Sequence, residues 1–209
     1  KSISHGVAAL EYDLAKEING QAVATEIARH ELYGCTGAEM VQEMKPYHID
    51  FPNVKNNCLR FEVSPSIEES ATFTDADWAE LGNDFMQRMG LANHQYIIIR
   101  HSGTESKKEQ AHLHILANRV SLSGELYRDN WIGKKATEAA NAIAKERNFV
   151  QSQDIGKVNK AEIKEAMDGV LKKMQGFDFT KFKEELGKRG FKVREARAST
   201  GKLNGYYVT

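Results

Sequence analysis

Cysteine is scarce in this chain: Cys35 and Cys58 are the only two among 209 residues. Two thiols cannot build a disulfide framework, and their scarcity suits a reducing, cytoplasmic setting. No apolar run approaches the length of a membrane span, which argues against membrane insertion. The opening KSISHGVAAL lacks the pattern of a secretory signal, and its first residue is not Met, so a trimmed start is expected. There is no internal repeat and no low-complexity tract. Net charge is absent as well, with 29 Lys+Arg against 29 Asp+Glu. What remains is an ordinary globular composition. The length suits one large domain, or a domain with an appendage, and allows a real core.

The zero average hides an asymmetry. Residues 1–131 hold 12 Lys+Arg against 19 Asp+Glu, net −7, while residues 132–209 hold 17 against 10, net +7. The second part is suited to a polyanion or to a solvated basic face, and charge alone does not choose between them.

The most informative stretch is QYIIIRHSGTESKKEQAHLHILANRV, residues 95–120. Ile97, Ile98 and Ile99 lead into His101. After a polar connection from Ser102 to Gln110, His112 and His114 alternate with Leu113 and Ile115. Both runs read as strands of an antiparallel pair. Side chains alternate along a strand, so His112 and His114 share a face that His101 can join from the neighbouring strand. Three imidazoles can then converge on one divalent cation and leave coordination positions open, as a catalytic metal site requires. The other reading is of surface histidines without a ligand. Glu105 and Glu109 could add a carboxylate, but their loop position suits solvation.

Taken in order, the chain begins with an expected helix from about Ser4 to Asn19, with Val7, Leu10, Leu14 and Ile18 on one buried face. Tyr12 sits off that stripe, free to present its hydroxyl or simply to rest half-exposed. Residues 22–46 alternate helical and turn signals, and GAEMVQEM suggests a short helix; Tyr33 and Tyr47 lie nearby without a role that their context supplies. CLRFEVSPS alternates strictly, with Leu59, Phe61 and Val63 on one side and Arg60, Glu62 and Ser64 on the other, as in a strand. Glu62 can support the histidines by accepting an imidazole N–H, or pair with Arg60 on the strand surface. Thr74 reads as an N-cap, followed by Asp75 and Asp77 in the first turn, a stripe of Trp78, Leu81, Phe85 and Met89, and a terminating Gly90.

Further helices are expected over Lys134–Arg147, over Lys160–Gln175 after a polar linker at 154–160, and from Asp178 to a stop at Gly190. The end reads as a basic β-hairpin turning at Ser199–Lys202. The succession of strand, helix, strand and strand predicts an α+β fold. It comprises a central antiparallel β-sheet with helices on one face and the other face free for a ligand, followed by C-terminal helices and the hairpin. The expected division is a core over residues 1–150 and a basic helical and hairpin extension over 151–209, possible parts of one domain.

The run YIIIRH followed by HLHILANRV resembles the metal-binding motif of plasmid and transposon relaxases, mobilisation nucleases of the HUH endonuclease superfamily. GVAALEYDL resembles the short N-terminal motif carrying the family's nucleophilic tyrosine, at Tyr12. RFEVSPS before T-D-x-x-W resembles the intervening strand, and FTKFKEELGKRGFKV a downstream segment, so the likeness follows most of the chain in order. Its most specific part is His101, His112, His114, Asn118 and Arg119. The chain departs from the family pattern at Ser102 and Gly103, where an acidic residue often stands, and at Gln110, where a further histidine often does. Glu11 and Asp13 make the flanks of Tyr12 unusually acidic.

The resemblance implies a metal-dependent, site- and strand-specific DNA endonuclease of the bacterial cytoplasm. It would start plasmid or transposon mobilisation by nicking one strand at an origin of transfer. Tyr12 is the implied catalytic residue, forming a 5′-phosphotyrosyl adduct. His101, His112 and His114 are the implied metal ligands, supported by Glu62 and Asn118. Family membership implies Mg²⁺ or Mn²⁺, whereas imidazoles alone favour a transition metal such as Mn²⁺, Ni²⁺ or Zn²⁺. Single-stranded origin DNA is the implied partner, with accessory mobilisation proteins and a coupling protein, and Lys134, Lys135, Arg194 and Arg197 are candidate phosphate contacts. Two other classes remain open: a metal-dependent hydrolase that activates water at the three histidines, and a non-catalytic single-stranded DNA-binding module.

Overall fold

A computed structural model describes residues 1–103 and 110–209; Glu105 and Glu109 lie outside the described residues. The chain divides into two compact units, Lys1–Phe149 and Val150–Thr209.

The first unit runs β1 (Ser2–Ile3), α1 (Gly6–Leu14), β2 (Glu17–Ile18), β3 (Gln21–Ala22), β4 (Ala24–His30), α2 (Gly37–Met44), a 3₁₀ turn (Lys45–His48), β5 (Cys58–Val63), α3 (Ile67–Ser70), α4 (Asp75–Arg88), β6 (His94–His101), β7 (His112–Ser121) and α5 (Ile132–Glu146). Five of these strands form an antiparallel sheet in the order β1-β5-β7-β6-β4. The expected α+β architecture is therefore present.

Strand alternation decides what each face of the sheet meets. Leu59, Phe61, Val63, Ile98, Leu113 and Ile115 point to one face and form a core with Trp78, Leu81, Phe85 and Met86 of α4 and Ala139 and Ile143 of α5. Ile97, Ile99, Leu116 and Cys58 point to the other, where Ala9 and Leu10 of α1 and Met40, Val41 and Met44 of α2 cover them. This is why three consecutive isoleucines are all buried: the central strand has helices on both sides. The second face is thus shared. Helices α1 and α2 take part of it, and the histidines occupy the end where β6 stops and β7 begins.

Local chemistry explains the boundaries. Thr74 caps α4 in a reciprocal box with Asp77, whose carboxylate accepts the Thr74 N–H at 2.7 Å, and Gly90 ends the helix region at φ +73°. Helix α1 stops at Leu14 rather than Asn19, because Asn19 and Gly20, at φ 54° and 74°, turn the chain into the β2–β3 hairpin. Asn-Gly favours that two-residue turn, since both positions need φ > 0. Strand β4 stands where the helix and turn signals alternated. It is a half-buried edge strand bearing a register shift between Glu26 and Ala28, so its side chains do not alternate cleanly in polarity.

The second unit comprises α6 (Ser152–Leu171), α7 (Phe179–Gly187), β8 (Val193–Arg197) and β9 (Leu203–Val208). Residues 154–160 belong to α6, so the expected linker is helical. Ala166, Val170, Phe182, Leu186 and Val193 form a small core, closed by Phe179, Tyr206 and Val208. Asp178 caps α7 by accepting the Lys181 N–H at 3.0 Å, and β8 pairs with β9 as the expected hairpin. Among the described residues, no helix is long and apolar enough to cross a membrane.

Candidate metal and nucleophile site

The β6–β7 register sets His101 directly opposite His112 and Ile99 opposite His114, so the three imidazoles share a face. All three are buried, and one ring nitrogen from each lies within 4.8 Å of the other two. His112 Nε2 and His114 Nε2 approach to 3.1 Å. Their outer nitrogens are held. His112 Nδ1 donates to the Gln110 carbonyl at 3.1 Å, leaving its lone pair on Nε2, and His101 Nε2 donates to the Asp13 carbonyl at 2.7 Å, leaving its lone pair on Nδ1.

Burial lowers the pKa of His114 to about 3, helped by the neighbouring His101 and by the Arg60 guanidinium, and burial also lowers that of His101. Three converging imidazoles, with burial disfavouring the protonated form of His101 and His114, are a donor set that a divalent cation can use, and the three residues fit one when His114 carries its proton on Nδ1 and turns its Nε2 lone pair to the centre.

Helix α1 brings the tyrosine motif to this cluster. Its buried positions are Gly6, Ala9, Leu10 and Asp13, a stripe of i, i+3, i+4 and i+7. The helix lies so close to β5 that a Cβ on Gly6 would sit 2.6 Å from Cys58 Sγ. Tyr12 points away from the stripe and is 56 % exposed. Its hydroxyl accepts from Lys16 Nζ at 2.6 Å, and that ammonium lies 4.8 Å from the ring centroid. Asp13, the next residue, is 1 % exposed and takes two hydrogen bonds from Arg60, at 3.0 and 2.5 Å. Arg60 stands on β5 and also reaches His114 Nδ1 at 3.2 Å.

Sequence reasoning missed Asp13, Arg60 and Lys16 as members of this site. The signal for Asp13 was present, because it continues the Gly6–Ala9–Leu10 spacing, but a stripe sought in large apolar residues passes over glycine, alanine and an acid. Arg60 lies on the histidine face of its strand, beside Glu62, its expected partner; it bonds Asp13 instead.

Two supporting residues are placed differently from expectation. Glu62 is opposite His114 in the β5–β7 register but exposed, and among the described residues no imidazole hydrogen bond reaches it. The acceptors for the imidazoles are the carbonyls of Asp13 and Gln110, which lie nearer the ring nitrogens. Asn118 shares the histidine face four residues from His114, about 13 Å along a strand. Its side chain accepts from His48 Nε2 at 2.6 Å and donates to Gln95 Oε1 at 3.0 Å and the Met44 carbonyl at 3.3 Å, which ties α2 and the 3₁₀ turn to the sheet.

The candidate phosphate contacts also separate. Lys135 donates to the Arg128 carbonyl at 3.0 Å, whereas Lys134 is exposed with Glu138 3.8 Å away. Arg197 is engaged by Glu195 at 2.6 Å and by the Gly201 carbonyl at 2.9 Å. Arg194 lies 5.2 Å from the ring centroid of the exposed Tyr207, and among the described residues it forms no ion pair.

A sheet carrying three convergent histidines beside a short tyrosine-bearing helix makes one candidate site. The model of the relaxase family, described as MobA/VirD2-like, nuclease domain, matches residues 12–149, about two thirds of the chain. The chain belongs to this family of DNA-nicking relaxases of the HUH superfamily. Neither the curated proteins nor the solved structures provide a match.

Proposed function

We propose that the first unit nicks one DNA strand at an origin of transfer by transesterification. The Tyr12 oxygen attacks the scissile phosphorus and forms the phosphotyrosyl bond as the bond from phosphorus to the 3′-oxygen breaks. The phenol loses its proton and the departing 3′-oxygen gains one. The DNA 5′ end is thereby held on the protein beside a free 3′-hydroxyl, and reversal reseals the strand.

The observation that carries this reading is the sharing of one residue between the two halves of the site: Asp13 follows Tyr12 and its carbonyl holds His101. A phenol with its ordinary pKa near 10 is a poor nucleophile at neutral pH. Lys16 supplies a cation at the phenol oxygen, where negative charge grows during attack. His101, His112 and His114 would hold a divalent cation, which when bound neutralises charge on non-bridging phosphate oxygens and fixes their position. Mg²⁺ and Mn²⁺ are the proposed ions, with Mn²⁺ better suited to imidazole nitrogen. In the second unit, Arg194 and Tyr207 pair a cation with an aromatic face, which suits a flanking single strand. We place the reaction in the bacterial cytoplasm, at the start of plasmid or transposon mobilisation, with accessory proteins and a coupling protein.

The test is incubation with supercoiled DNA carrying the cognate origin, followed by denaturing electrophoresis. Tyr12→Phe is expected to reduce the covalent adduct at least about 10³-fold while DNA binding persists. An undiminished adduct contradicts the assignment. Nicking without any adduct supports a water-activating hydrolase, and binding that ignores chelator, without cleavage, supports a binding module.

A further inference from the structure

Asp13 is a buried acid in a stripe otherwise made of small and apolar residues, and its three contacts all lead to the histidines. Its carbonyl holds His101, its carboxylate holds Arg60, and Arg60 stands 3.2 Å from His114 Nδ1. A guanidinium can only donate. In this arrangement, therefore, His114 Nδ1 accepts, and His114 Nε2 carries the proton that is shared with His112 Nε2 at 3.1 Å. That tautomer has no lone pair facing the other two rings. The opposite tautomer needs an acceptor for Nδ1–H, and Asp13 Oδ1 lies 3.8 Å from that nitrogen. Arg60 and Asp13 compete for one ring nitrogen with opposite consequences.

We propose that Asp13 is the positioning residue that makes His114 a metal ligand. It holds Arg60 through two hydrogen bonds, keeps a carboxylate oxygen 3.8 Å from Nδ1, near enough to take up Nδ1–H when Arg60 withdraws, and orients His101 through its carbonyl, so that the tyrosine helix and the ligand set are registered by one residue. Freed of Asp13, Arg60 keeps Nδ1 as an acceptor and places an uncompensated positive charge beside the cation. The inference rests on the reading of the histidines as a divalent-cation site, and it gives the acid that follows Tyr12 a role.

The test is Mn²⁺ titration of the full chain by calorimetry for wild type, Asp13→Asn, Arg60→Met and the double variant, with thermal unfolding of each metal-free protein as the check on folding. Asp13→Asn is expected to weaken Mn²⁺ binding about 10- to 100-fold, the range for groups that orient a ligand. Arg60→Met is expected to bind as tightly as wild type or more tightly, and adding it to Asp13→Asn is expected to restore most of the loss. A merely structural ion pair predicts a different order, with all three variants weakened alike. That order, or an Asp13→Asn protein that binds like wild type, overturns the proposal. Should Asp13→Asn fail to fold around its unpaired Arg60, Arg60→Met still decides, because a tenfold loss there contradicts the competition. Wild-type protein that binds no Mn²⁺ overturns both this proposal and the cation site, whereas wild-type binding with the wrong variant order overturns this one alone.

Discussion

The two ends of the β6–β7 ladder make an instructive pair. Each gathers buried polar side chains on the same two strands. At one end are His101, His112 and His114; at the other are His94, Gln95 and Asn118, joined by His30 and His48. At the second end the polar groups have protein partners: His94 Nδ1 meets the Asn118 carbonyl at 2.9 Å, Gln95 donates to the Glu31 carbonyl at 2.9 Å, and Asn118 is bonded through both its oxygen and its nitrogen. At the first end, the inner nitrogens face one another. Burial alone therefore does not distinguish a ligand site from a structural bracket. What distinguishes them is whether the polar atoms point at partners or at a common centre.

Substitutions at the two ends should separate these roles. The largest expected effect is at His112→Ala, which should lower Mn²⁺ affinity and nicking together by at least about 10²-fold, measured by calorimetry and a nicking assay. Asn118→Ala should leave Mn²⁺ affinity of the folded protein unchanged but lower stability by about 2–3 kcal/mol in denaturant unfolding, because it strands buried partners. Loss of metal affinity in Asn118→Ala would break the comparison.

Acid should expose a likeness and then a difference. His94 and His114 both have pKa values lowered by burial, that of His114 to about 3. The native protein therefore binds fewer protons than the unfolded chain below the ordinary pKa of 6.5. Stability is fully present above that pH and falls as pH drops below it, by at most about 1.4 kcal/mol per pH unit for each histidine, with the loss from His114 continuing toward pH 3. Unfolding measured from pH 7 to 4 should flatten in His94→Gln with or without Mn²⁺, whereas Mn²⁺ should oppose the acid loss only through the three-histidine end.

Smaller effects follow at the nucleophile and the second unit. Lys16→Met should slow adduct formation about tenfold, the equivalent of one charge-assisted hydrogen bond, without moving the adduct from Tyr12. Arg194→Ala should weaken single-stranded DNA binding roughly threefold at low salt, and Arg197→Ala less, since Arg197 is already engaged by Glu195.

The histidine hairpin and the α4 stripe were legible because period-2 and period-3.6 patterns there agree with capping and turn residues. Tyr12 lies off the stripe as expected, and Leu10 and Leu14 of that stripe do pack in the core, whereas Val7 is 39 % exposed and Ile18 belongs to a hairpin strand. Edge strand β4 was hidden by its half-burial, which removes the polarity contrast that marks a strand. Asp13 and Arg60 could not be paired from sequence, since 47 residues separate them and only the packing of α1 on the sheet brings them together. The motif implies that Asn118 supports the ligands, whereas its side chain bonds His48, Gln95 and the Met44 carbonyl, a bracket that only the folded chain displays.

The most direct test of the central claim is peptide mapping of the covalent DNA adduct. Wild-type protein is trapped on an origin oligonucleotide, digested with nuclease and trypsin, and sequenced by mass spectrometry. A site that joins Tyr12 to the histidine end of the sheet predicts a nucleotide-bearing phosphotyrosine in the peptide Ser2–Lys16, formed only with divalent cation and lost in His112→Ala. A label on Tyr33 or Tyr47, or one that forms equally in the presence of chelator, would contradict it.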